Sequence, residues 1–193
     1  MRLVVGISGS TGAIYGVRLL EVLRGSPDIE THLVVSGPAM STIEFETGYK
    51  PETVLAMADE VYDYRDVGAA ISSGSFLTDG MAIAPCSIKT LSSVANSYND
   101  NLLSRAADVC LKERRKLVMV VRETPLHAGH LRLMLDVTTA GGVILPPMPS
   151  FYHLPKTVDD IVNHTVQKVL DQFGIEKGLF TRWTGLDVPV RAQ

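Results

Sequence analysis

Gly6-Ile7-Ser8-Gly9-Ser10-Thr11-Gly12 packs three glycines and three hydroxyls into one short stretch directly after a β-branched run. Glycines let backbone N–H groups close on a phosphate, and a helix N-terminus behind them favours an anion. The spacing is G-x-x-G-x-x-G, not the dinucleotide pattern G-x-G-x-x-G. No lysine follows Gly12, so this is not a Walker A loop. Ser10 stands where a G-x-S-x-G nucleophile elbow needs its second glycine. Two readings stay open: a phosphate or mononucleotide loop, or a plain tight turn.

A second polar turn, Pro85-Cys86-Ser87-Ile88-Lys89-Thr90, also follows an apolar run. Ser87 and Thr90 have the spacing to cap a helix or to donate to a phosphate or a ring edge. Cys86 has no histidine at a recognised spacing and reads as a small buried residue, as does Cys110. Arg122-Glu123-Thr124-Pro125 puts a charged pair where another apolar run ends. Such a pair is costly to hold unless it is paired or used. Arginine grips a phosphate with two N–H groups, and glutamate can move a proton. Arg105 and Lys112 are seven residues apart and share a helix face. A solvated face is the plainer reading of the charges around them. His127 and His130 lack a third and fourth ligand, so no metal is expected. Phe151, Tyr152 and the single tryptophan, Trp183, either cover a planar ligand or simply pack.

These groups need a frame. Apolar runs alternate with helix-period segments, the pattern of an α/β protein with a mostly parallel sheet. Strands are expected over 3–7, 31–35, 81–84, 117–121 and 143–145, with Pro85 stopping the third. Helices are expected over 13–23, 38–47, 51–59, 88–95, 102–114, 126–139 and 158–173. Ligands bind such sheets at the carboxyl ends of strands. That rule selects 8–12, Ser36 onward, 85–90 and 122–124. The chain of 193 residues suits one domain, residues 1–193, long enough to bury a core without disulfides. The final stretch, about 20 residues, has little periodicity and is expected to lie over a neighbouring surface or fray. The two cysteines form no disulfide framework, which fits a reduced cytosol. The apolar N-terminus is too short for a signal peptide, and no apolar run reaches the ~18 residues of a membrane span. The net charge of −3 lacks the basic footprint of a nucleic-acid binder.

Together these segments resemble the flavin prenyltransferases of the UbiX type, a family long described as phenylacrylic or 3-octaprenyl-4-hydroxybenzoate decarboxylases. The resemblance rests on the Val5-to-Ala13 loop, Ser72-Ser73-Gly74-Ser75-Phe76 and Pro85-Cys86-Ser87-Ile88-Lys89-Thr90-Leu91. It continues through Arg105-Ala106-Ala107-Asp108-Val109, Leu111-Lys112-Glu113-Arg114-Arg115 and Arg122-Glu123-Thr124-Pro125-Leu126. It ends with Pro146-Pro147-Met148-Pro149 and Phe151-Tyr152-His153, in register over nearly the whole chain. His127-Ala128-Gly129-His130-Leu131 is similar to the branch of the family in the ubiquinone pathway.

The resemblance implies a flavodoxin-like Rossmann three-layer sandwich and a cytoplasmic homododecamer, with the active site at a subunit junction and the C-terminal tail packed on a neighbour. It implies that dimethylallyl phosphate alkylates reduced FMN at N5 and then C6, without a metal. The prenylated FMN then serves a UbiD-type decarboxylase. Carried over by position, Gly9, Ser10, Thr11, Ser36, Ser87, Ile88, Lys89, Thr90 and Arg122 lie against FMN. Tyr152 and Lys168 bind the dimethylallyl phosphate, with Lys112 and Arg105 shaping a cationic pocket. Glu123 assists phosphate departure, Glu46 transfers a proton in ring closure, and Trp183 closes over the prenyl chain. Thr11 stands where many relatives carry Ser, Gly37-Pro38 where many carry Lys and a small residue, and Lys168 where many carry Arg. The alternatives are an FMN-dependent decarboxylase acting directly on an aromatic acid or a cysteinyl substrate, and a carrier that binds FMN without chemistry.

Overall fold

The structure, a computed structural model, describes residues 1–185. Six strands form one sheet: β1 (Arg2–Ile7), β2 (Glu30–Val35), β3 (Glu60–Tyr62), β4 (Gly80–Cys86), β5 (Lys116–Val121) and β6 (Val143–Ile144). All pairings are parallel, in the order β3-β2-β1-β4-β5-β6. The chain winds outward one way from β1 and then the other way from β4. The crevice between these two strands is therefore the switch point where such sheets take ligands.

Side-chain alternation builds the two outer layers. Leu3, Val5 and Ile7 of β1 face a core completed by α1 (Ala13–Leu23), α2 (Gly37–Thr47), α3 (Pro51–Leu55) and α7 (Val158–Asp171). Val4, between them, faces the opposite core with α4 (Ile88–Ala95), α5 (Leu102–Lys112) and α6 (Ala128–Thr139). Strands covered on both faces carry near-continuous apolar runs, and β4 is buried at every position. Helix α1 lies unusually close to the sheet. A Cβ on Gly16 would stand 2.2 Å from the Ala84 carbonyl oxygen and 2.9 Å from the Ile7 side chain.

Beyond shifts of one or two residues at element ends, two expected elements differ and one strand is new. The strand expected to stop at Pro85 runs on to Cys86, because a shift of register between Ile83 and Cys86 accommodates a residue with no N–H to donate. The helix expected over 51–59 ends at Leu55, because Asp59 is engaged elsewhere. Its carboxylate accepts from the Thr31 amide at 2.7 Å and from the Thr31 hydroxyl at 2.8 Å. That contact launches β3, an edge strand absent from the sequence reading because only three residues pair. The Ser- and Gly-rich loop contains one 3-10 turn, Ala70–Ser72.

Gly16→Ala should lower stability by about 1–3 kcal/mol, since neither a backbone carbonyl nor β1 can retreat. The urea midpoint measures it, and an unchanged midpoint would mean that the α1–sheet contact is looser than described.

Candidate active site

The carboxyl ends of four strands are tied side to side. Ser36 N–H donates to Ile7 O at 3.0 Å, and Ser8 N–H to Pro85 O at 3.2 Å. The Ser8 hydroxyl donates to Pro85 O at 2.9 Å and accepts from Ser87 N–H at 2.7 Å. Arg122 N–H donates to Cys86 O at 3.0 Å. These bonds fix the loops after β1, β2, β4 and β5 in one rim around the switch point. Ser8 lies inside the segment selected from the sequence, but its bridging role there depends on knowing that β1 and β4 are neighbours.

Within the rim the glycine loop is tightly shaped. A Cβ on Gly9 would come within 2.5 Å of Pro38, so a side chain there would collide with the start of α2. Gly12 has φ +96°, a left-handed conformation that suits glycine. The hydroxyls of Ser10 and Ser36 are buried without a hydrogen-bond partner among the described residues. Buried hydroxyls are normally paired, so two orphans on one rim are consistent with a polar ligand. Thr11 is exposed at the same turn.

Helix α1 has no acidic residue in its first turn and no side-chain cap of its own. Glu46, near the end of α2, supplies the anion instead: its carboxylate accepts from Gly12 N–H at 2.8 Å and Ala13 N–H at 3.0 Å. The amides that begin α1 therefore already hold a negative group, as helix N-termini favour. Ser87 caps α4, accepting from Thr90 N–H at 3.3 Å and donating to the Thr90 hydroxyl at 3.1 Å. Capping, the plainer sequence reading, is thus present. Lys89 is exposed beside it, and Ile88 packs partly into the core.

Arg122 is half-buried, and its guanidinium makes no ion pair among the described residues. It acts on Tyr15: burial pushes the Tyr15 hydroxyl up, and the Arg122 charge opposes that rise. The Arg122 charge is therefore felt at Tyr15, in the first turn of α1. Glu123 is exposed, and its carboxylate accepts from Thr124 N–H at 2.9 Å. Both line a cleft of about 360 Å³ closed by Pro146, Pro147 and Pro149. A wider depression of about 710 Å³ lies near Met1, Gly25 and Glu30, at the amino ends of β1 and β2, away from these groups. Cys86 is fully buried and its thiol is pushed up by desolvation, which removes it as a nucleophile. The rings of His127 and His130 lie 3.6 Å apart, and His127 caps α6 by accepting from Gly129 N–H. Among the described residues no group of three or more His, Cys, Asp or Glu is arranged to hold a metal.

The other expected cations lie elsewhere on the chain. Arg105 and Lys112 do share a face of α5, over the 72–75 loop. Arg105 donates to Ser72 O at 3.0 Å and pairs with Asp108 at 3.1 Å, while Lys112 pairs with Glu113. Lys112 closes α5 shortly before β5 begins, and Arg122 follows its last residue. Six strand residues at about 3.3 Å each set the two ends of β5 roughly 20 Å apart. One chain therefore does not bring Lys112 to Arg122.

Tyr152, Lys168 and Trp183 belong to a third group along α7. Tyr152 meets the edge of Trp183 at 5.9 Å between ring centroids, and both rings are exposed. The Tyr152 hydroxyl lies 3.0 Å from Nε2 of His164, a buried residue that the sequence reading passed over. His164 stands one helical turn before Lys168 on the same face, a spacing visible in the sequence but mute without its contact to Tyr152. Residues 174–185 fold back on α7 of their own chain. Ile175 is buried, Phe180 lies 4.6 Å from the His164 ring, and Arg182 holds Asp171 at 2.6 and 3.0 Å. Residues 186–193, the rest of the expected tail, lie outside the described residues.

A family model described as Flavoprotein matches residues 1–170. The flavin prenyltransferase UbiX of Escherichia coli K12 is 61% identical over 186 residues, which cover 95% of this chain and 98% of that protein. The flavin prenyltransferase UbiX of Thauera aromatica is 62% identical, covering 96% and 95%. Among solved structures, a UbiX protein in complex with FMN and dimethylallyl pyrophosphate has a TM-score of 0.94 at 48% identity, covering 96% of this chain and 98% of that one. A dodecameric FMN-dependent UbiX-like decarboxylase from Escherichia coli O157:H7 also has a TM-score of 0.94, at 54% identity, covering 96% of this chain and all of that one.

The Arg182–Asp171 contact holds the strap that carries Trp183 and depresses the Asp171 carboxyl below its usual range. A depressed carboxyl contributes above its unfolded value, and the contribution is lost as pH falls through the folded value. Trp183 emission should therefore be flat from neutrality down to about pH 4, then shift to the red. Arg182→Ala should give the red shift and easier acrylamide quenching at neutral pH. Identical emission in the variant would show that the ion pair does not hold the strap.

Proposed function

The chain belongs to the flavoprotein family and, within it, to the UbiX-type flavin prenyltransferases, and on that footing we propose that it joins the dimethylallyl group of dimethylallyl phosphate to reduced FMN. The observation that carries the assignment to this rim is the pair of buried, unpartnered hydroxyls of Ser10 and Ser36 beside a glycine turn with no room for a side chain. Gly9, Ser10, Thr11 and Ser36 hold the flavin nucleotide, with Ser87, Ile88, Lys89 and Thr90 along its edge and Arg122 above the first turn of α1. FMN supplies the nucleophilic nitrogen N5 and then the ring carbon C6, so the product carries a fourth ring.

The protein's own part is to separate and stabilise charge. The allylic C–O bond breaks with its electron pair leaving on the phosphate, so positive groups around the leaving oxygens lower the barrier. Arg122, Arg105, Lys112 and Lys168 supply that charge. Tyr152 donates to the phosphate, and Trp183 walls the allyl cation with its π face. Glu123 exchanges a proton with the departing phosphate. In ring closure the prenyl double bond gains a proton at one carbon, its other carbon bonds to C6, and C6 gives up its hydrogen as a proton; Glu46, at the glycine loop, serves that proton transfer. Because Lys112 and Arg122 flank opposite ends of β5, neighbouring copies complete the pocket, in a homododecamer. The product passes to a UbiD-type decarboxylase, and the enzyme works in the cytoplasm. No described helix is long and apolar enough to cross a membrane. Direct decarboxylation of an aromatic or cysteinyl acid would give these cations no leaving phosphate to stabilise.

Anaerobic incubation with reduced FMN and dimethylallyl monophosphate should yield a flavin heavier by one five-carbon prenyl unit in the mass spectrum. Unmodified flavin, with the diphosphate tried as well, would overturn the proposal. Glu123→Gln should lower kcat by about 10²–10⁴-fold with FMN binding retained, as loss of a general acid–base group does. Unchanged turnover in that variant would remove Glu123 from the chemistry.

A further inference from the structure

Tyr152 has one hydroxyl proton, and two groups compete for it. In the proposed function, on which this inference rests, the proton points at a phosphate oxygen, and a phosphate oxygen without a proton can only accept. Within the structure, the same hydroxyl lies 3.0 Å from His164 Nε2. Both contacts exist together only if Nε2 carries a hydrogen and the phenolic oxygen accepts it. The surroundings of His164 favour a neutral ring with a single N–H. Burial pushes His164 below the ordinary imidazole range, His153 and Lys168 push the same way, and Asp171 opposes them. The His153 ring stacks on it at 5.1 Å, 5° from parallel, and Phe180 closes in at 4.6 Å. The ring therefore has little freedom to turn Nε2 away. Helix α7 fixes its backbone between Asn163 and Thr165, with Val162 and Val166 in the core below.

We propose that His164 is a positioning residue for Tyr152: its Nε2–H donates to the phenolic oxygen and so turns the hydroxyl proton outward to the phosphate of the prenyl donor. Four observations agree with this role. The bond length is ordinary, the imidazole is buried while the phenol ring is exposed, the stack locks the ring plane, and Lys168 follows on the same helix face. His164 touches no reacting atom, so its effect is on donor binding and not on the chemical step.

The test is a double-mutant cycle in the assembled enzyme, with FMN saturating and dimethylallyl monophosphate varied. His164→Phe keeps a flat ring in the stack and deletes the donor. It should raise KM for the prenyl donor about three- to tenfold, the worth of one hydrogen bond, and leave kcat within about twofold. His164→Gln, whose amide nitrogen reaches the place of Nε2, should restore most of the loss. In a Tyr152→Phe background, His164→Phe should add nothing further, because the group it orients is gone. Additive losses in the double variant, or a fall in kcat with KM unchanged, would make His164 a packing residue and overturn the inference. An unchanged KM in Tyr152→Phe alone would overturn the phosphate role of Tyr152 and the inference with it. A raised KM in Tyr152→Phe beside a normal His164→Phe would overturn this inference alone. The thermal midpoint of each oligomer separates misfolding from lost positioning, and His164→Gln carries the test if His164→Phe does not assemble.

Discussion

A parallel sheet that winds in two directions opens a crevice where the directions part, and something must hold its lips together. Here that is one buried residue. Ser8 donates both its amide and its hydroxyl to the carbonyl of Pro85, and its hydroxyl accepts from the amide of Ser87, so one residue joins the ends of β1 and β4. The Ser36 and Arg122 amides extend the same row to β2 and β5. With the row in place, the glycine loop, the α4 cap and Arg122 share one frame. Without it, the loops would lack these ties beyond the ends of the ladder. Charge–charge contacts play little part in this frame. The carboxylate of Glu46 answers the orphan amides of α1.

The cations proposed for the site are spread over three places, which is a physical economy as much as a puzzle. Bringing four positive side chains together within one folded chain would place like charges close in a partly dry site, at a steep cost. Three are instead satisfied locally, Arg105 by Asp108, Lys112 by Glu113 and Lys168 by Asp171. Arg122 alone is free of an ion pair among the described residues, and it is the cation that shares the rim with the orphan hydroxyls.

Much of this was legible in the sequence, for identifiable reasons. Strands buried on both faces announce themselves as apolar runs, and helices α1, α2 and α4 begin and end where Gly12, Pro38, Gly48 and Ser87 punctuate them. The carboxyl-end rule then selected four loops that the structure brings to one rim, and the comparisons bear out the family, the fold and the prenyltransferase activity. Short-range signals were silent on β3, whose three residues depend on Asp59 reaching Thr31 across 28 positions. They were silent on His164 for the same reason: its partner is 12 residues away and across a loop. The continuation of β4 through Pro85 needed the register of its neighbours, since proline alone argues for a stop. The distance between Lys112 and Arg122 was also invisible, because periodicity shows which face a residue occupies but not which end of the sheet.

The two margins of the sheet are β3 and β6, with three and two residues. A margin so short presents almost no free backbone ladder, and Glu60 at the start of β3 adds a charge to it. Among the described residues these margins offer little ladder for an added strand, the step that amyloid growth and edge-to-edge aggregation require. Side-chain surfaces such as Phe45, Leu135, Phe151 and Val158 are exposed instead. Contacts through such surfaces close into a finite assembly when the rotation between copies closes, whereas strand addition repeats without limit. The same brevity that hid β3 from a reading of the sequence thus works against growth by strand addition.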